Sequence, residues 1–126
     1  AMDLVNRDTQ GAATIVETNW WDPMPEDVID KVFDEVPFPG WAFEHAAVTE
    51  TSLMLYFAPG LCHMDRVVDI ANAKALPYFR YPLYKGDVPE SGALASANSS
   101  SAQRGMIIVD SVIPELVKIC HKEFCI

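Results

Sequence analysis

One stretch, Pro37 to Leu55, limits what this chain can become more than any other. Pro37 and Pro39 each fix a backbone angle and Gly40 frees one, so the stretch begins as an irregular loop. It then turns helical, with Leu53, Met54, Leu55 and Phe57 read as the apolar face of a helix from about Ala46 to Phe57 that stops before Pro59-Gly60. Trp41, Glu44, His45 and Glu50 fall where the loop meets the helix. A large aromatic, an imidazole and two carboxylates at such a junction make a candidate site. The alternative is structural: Trp41 plugs an edge of the core and His45 caps the helix.

Around this centre the chain reads as helices and loops with one strand. Asp3 to Asn6 looks like a helix tail. Ala12 to Thr18 is short, β-branched and bounded by Gly11 and Asn19, so it reads as a strand. Helix tail, loop and strand resemble the closing part of a βαβ unit whose opening strand is missing. Asn19-Trp20-Trp21-Asp22-Pro23 follows at the strand exit, where open α/β sheets gather their ligands. Paired tryptophans there wall a small planar substrate or pack under the next helix. Met24 to Glu35 carries Val28, Ile29, Val32 and Phe33 at helical spacing, with Glu26 and Asp27 at the positive end. Asn72 to Gly92, rich in Pro and Tyr, reads as an extended excursion that serves a site or a subunit contact. Ser99 to Ser101 is ready to cap a final helix, Ala102 to about Phe124. Its inner face is expected at Met106, Val109, Ile113, Leu116, Val117 and Cys120, with Gly105 and Pro114 weakening or bending it.

The 126 residues are enough for one domain with a real core, and half of them are hydrophobic. No apolar run reaches the ~20 residues of a membrane span. Eighteen acidic residues against nine basic ones give a net charge of −9, which argues against nucleic acid as a partner. Cys62, Cys120 and Cys125 fit no redox or zinc spacing and read as free thiols of a cytoplasmic protein. His63, Asp65 and Asp69 lack the spacing of a metal site. There is no Gly-rich phosphate loop, HExxH, GxSxG or CxxC pair.

The run Gly-Trp-Ala-Phe-Glu-His45-Ala-Ala-Val-Thr-Glu50-Thr-Ser-Leu-Met-Leu, followed by Met64-Asp65-Arg66-Val67-Val68-Asp69, resembles the C-terminal half of creatininases. The resemblance extends back to Trp20-Trp21-Asp22 and forward through Gly92-Ala93-Leu94-Ala95-Ser96-Ala97 to the last helix. It implies an α/β protein with a layered α/β/α creatininase-like fold, of which residues 1–126 are the C-terminal portion. It also implies hydrolysis of a cyclic or linear amide C–N bond by water activated on a pair of divalent metals, zinc or manganese. The ligands of those metals belong to an N-terminal half. By the same resemblance His45 shuttles protons, Glu50 orients His45 or lines the pocket, and Trp21 and Trp41 cover the substrate, with Glu44 a further substrate-side candidate. The partners implied are the N-terminal half of the same enzyme, a small amide and further copies of the protein. Ala42 departs from an acid found in some members. The competing reading is a non-catalytic binding or assembly module that keeps half of the fold.

Overall fold

The computed structural model describes residues 1–70, 78 and 80–125. Among these residues four α-helices are formed: α1 (Met2–Asp8), α2 (Glu26–Val32), α3 (Val48–Phe57) and α4 (Ala102–Phe124), with short 3₁₀ turns at Pro59–Leu61 and Met64–Arg66. Part of the expected 72–92 excursion lies outside the described residues.

Among the described residues no strand is formed, which corrects the expected sheet layer. Ala12 to Thr18 is irregular and mostly exposed, Ile15 being its one half-buried residue. β-branched side chains favour an extended backbone, but a strand exists only when a neighbour takes its N–H and C=O groups. The helix α1 before it buries no residue either.

The core forms where α2 and α3 meet α4. Met24, Val28, Val32, Phe33, Val48, Ile108 and Val112 are buried together, with Trp20, Ile29, Phe38, Trp41, Leu53, Ile107 and Leu116 packed around them. Each aliphatic side chain buried here contributes about 1.5–3 kcal/mol. α2 is shorter than expected, ending at Val32 with Phe33 as its C-cap. The next two residues are drawn away by Arg104, whose side chain is only 12% exposed. Its guanidinium meets Asp34 Oδ1 at 2.5 Å and Glu35 Oε2 at 3.0 Å, and donates to the carbonyls of Val32 (2.8 Å) and Ser99. One arginine thus ties the exit of α2 to the entry of α4, and the two acids raise its pKa further above its ordinary value.

Two helix faces differ from expectation for one reason. The buried stripe of α4 is Gly105, Ile108 and Val112, while Ile113 and Val117 are exposed. The buried residues of α3 are Val48, Thr49 and Ser52, while Met54 and Phe57 are exposed. The two helices cross so closely that only small residues fit between them. A Cβ built on Gly105 would lie 2.2 Å from the Ser52 carbonyl oxygen and 2.7 Å from Tyr56 Cβ. The serine-rich loop completes the joint. Ser101 caps α4 by accepting from the Arg104 N–H, its own N–H donates to Ser52 Oγ (3.2 Å), and Ser100 Oγ donates to the Val48 carbonyl (3.4 Å).

Candidate active site

The site residues are mounted on this joint. Trp21 sits in a turn closed by Asn19 and Asp22: the Asn19 N–H donates to Asp22 Oδ2 (2.9 Å) and the Asp22 N–H to the Asn19 carbonyl (3.1 Å). Trp41 sits in a second turn, opened by Gly40 at φ 90°, a conformation that suits a residue without a Cβ. The Gly40 carbonyl accepts from the N–H groups of Phe43 (2.9 Å) and Glu44 (3.2 Å).

These turns bring the tryptophans together. The Trp21 and Trp41 rings stack at 5.9 Å and 21°, and Trp20 meets both edge-on at 5.5 and 6.3 Å. Phe38 packs edge-on to Trp41 at 5.0 Å and tilts against Phe33 at 4.9 Å, joining the cluster to the core. Such pairs add about 0.5–1.5 kcal/mol beyond their burial. Trp20 both packs on the core and edges a cleft of about 700 Å³, which Ala46, Glu50, Leu53, Cys62 and His63 also line. The sequence signal for Trp20 was its place beside Trp21; nothing in spacing marked Cys62 or His63 as lining residues.

The carboxylates divide their work. Glu50 Oε2 accepts from the Ala46 N–H at 2.6 Å and lies 3.9 Å from Nδ1 of His45. The His45 side chain is 67% exposed. Glu44, in contrast, is 7% exposed and turned inward. Its Oε2 accepts from the N–H (2.8 Å) and hydroxyl (2.5 Å) of Thr49, and its Oε1 from the Val48 N–H (3.3 Å). The N-cap position of α3, Ala47, has no side-chain acceptor, so Glu44 satisfies the N–H groups that a helix start leaves unpaired. The structure therefore places Glu44 beneath His45, as a support for the start of α3. The marker for this role was Thr49, five residues on, which spacing alone did not single out.

Burial raises the Glu44 pKa above its ordinary 4.5, the Thr49 hydroxyl and the Thr49 and Val48 N–H groups oppose the rise, and the negative Glu50 adds to it. Because the folded value is the higher one, the stability contributed by this group is full below the ordinary value and is lost as pH rises through the raised one. Glu44→Gln is expected to flatten the fall of stability with pH between the ordinary value and the raised one, as read by urea denaturation at a series of pH values. An unchanged slope would show that Glu44 does not carry this titration.

A creatininase family model, described as creatinine amidohydrolase, matches residues 2–120. The chain belongs to the creatininase family. A creatinine amidohydrolase from Pseudomonas putida is 35% identical over 111 residues, covering 87% of this chain and 42% of that protein. A solved structure named "Creatininase Mn" aligns with a TM-score of 0.87 at 34% identity, and a mutant creatininase of "Zn-Zn type" with 0.89 at 33%. Both alignments cover 98% of this chain and 49% of the other. The chain has the creatininase fold over its length and spans about half the length of these relatives.

The metals named for these creatininases find no ligand set here. Among the described residues no group of three or more His, Cys, Asp or Glu side chains comes together, and the residues present do not fit a metal pair. No helix among them is long and apolar enough to cross a membrane.

Proposed function

We propose that this chain supplies the substrate-covering and proton-handling side of a creatininase-type amidohydrolase, which cleaves a C–N bond in a small cyclic or linear amide. The divalent metal pair, zinc or manganese, belongs in this reading to residues of an N-terminal half with which the chain assembles, in an enzyme that associates further into a homo-oligomer.

The observation that carries the proposal is an exposed His45, with Glu50 near one ring nitrogen, on the loop that also carries Trp41. Amide hydrolysis adds the oxygen of water to the carbonyl carbon and breaks the C–N bond, and the departing nitrogen must receive a proton. Nδ1 of His45 faces Glu50 at 3.9 Å, a separation that catalytic pairs close when substrate binds. Nε2 is then the atom that gives the proton to the leaving nitrogen and regains one from water. Trp21 and Trp41 offer a flat apolar wall that shields the amide from bulk water.

The test is hydrolysis of creatinine and of linear amides by the assembled protein, with metal content and intact mass measured on the same sample. A single metal-free 14.0 kDa species without activity would favour the binding or assembly module instead. Trp41→Ala is expected to raise KM about tenfold or more, on the scale of one lost aromatic contact of ~1.4 kcal/mol, with metal content unchanged. Loss of metal in that variant would overturn a covering role for Trp41.

A further inference from the structure

The backbone is held on both sides of His45, on the upstream side by the buried Glu44. The His45 carbonyl accepts from the Leu94 N–H at 3.0 Å. The next residue, Ala46, holds φ 51°, a left-handed conformation unfavourable for a residue with a Cβ, and its N–H is taken by Glu50. A strained residue persists only where its surroundings over-determine it. On the other side of His45, the Glu44 N–H is held by the carbonyls of Gly40 (3.2 Å) and Trp41 (3.3 Å), while the Glu44 carboxylate is fixed to the first turn of α3 through Val48 and Thr49. Thr49 is itself fully buried.

We propose that Glu44, through Thr49, is the positioning residue that sets His45 relative to Trp41, with its main chain in the tryptophan turn and its side chain in the helix that carries Glu50. The proposal rests on the function proposed above and assigns Glu44 no contact with substrate. A carboxylate suits this task because its two oxygens accept three hydrogen bonds at once, whereas an amide at this position presents a second donor to the same N–H groups. The charged group that acts on Glu44 is Glu50 on α3. A cavity of about 130 Å³ beside it is lined by Phe33, Val36, Val48, Ile70, Ser96 and Ser99 among others, and Glu44 is the one titratable group among the described residues of that lining.

The experiment is a double-mutant cycle with nuclear magnetic resonance on the assembled enzyme. Glu44→Gln is expected to lower kcat ~10–100-fold with KM within about threefold, and to cost less than about twofold when His45 is already Ala, because groups acting as a unit are not additive. In the same variant the backbone order parameters at His45 and Ala46 fall from about 0.85 towards 0.6 while those of Ile108 and Val112 in α4 stay high. Thr49→Val, which removes the hydroxyl, reproduces both effects and Thr49→Ser, which keeps it, shows neither, which also covers a Glu44→Gln protein that does not fold. Additive losses in the cycle, or unchanged order at His45, would overturn the assignment. The order parameters need no turnover, so an inactive parent enzyme would remove the proposed function while leaving this result to stand or fall separately.

Discussion

Gly105→Ala is expected to destabilise the protein by about 2–3 kcal/mol, lowering its Tm by roughly 8–12 °C. In an exposed helix the same change gains up to about 1 kcal/mol, so the sign here is set by packing. The added methyl lands 2.2 Å from a backbone oxygen of α3, and backbone cannot swing aside as a side chain can. Either α4 lifts away from Ser52, breaking the Ser101 to Ser52 hydrogen bond, or the last turns of α3 deform. Gly60 is the control, since a Cβ there meets nothing within 4 Å and Gly60→Ala should change stability by no more than about 0.5 kcal/mol. Thermal denaturation of the two variants side by side decides the matter, and equal Tm values would mean that the close crossing of α3 and α4 is not what holds them.

The second large effect is on turnover. His45→Ala in the assembled enzyme is expected to lower kcat by ~10²–10⁴, the range for loss of a general acid or base. The side chain is 67% exposed, so stability should change little and the loss can be assigned to chemistry. A decrease of less than about threefold would remove His45 from proton transfer. The remaining residues of the site would then be a binding surface only.

What could be read from the sequence follows from how locally each feature is encoded. The bounds of α4 were legible because a serine cap sits at one end and a long periodic run follows it. Its inner face was not, because the run offers several apolar stripes and the choice among them is made by Gly105, a residue with no side chain to signal. α3 misled for a related reason: its large residues, Met54 and Phe57, point outward while Thr49 and Ser52 go in. Apolar periodicity finds burial only where burial is apolar. The β-branched run at Ala12 to Thr18 reads as a strand but forms none, because pairing depends on a neighbour that composition does not reveal. Trp21, Trp41, His45 and Glu50 were singled out by residue type and by resemblance, and the structure brings the two tryptophans together and His45 near Glu50. That Glu44 faces inward depended on five residues of separation across a turn, beyond what spacing rules register.

The attachment of the Trp41 turn has a mechanical consequence. Its downstream end is anchored, since Glu44 is bound to α3 and α3 is locked against α4. Its upstream end is Gly40, where an added Cβ would meet nothing within 4 Å, preceded by a proline that has no N–H to donate. Any swing of Trp41 must therefore pivot at the glycine and leave His45 where it is. In the function proposed above, the indole would then move with each substrate molecule while the imidazole keeps its address.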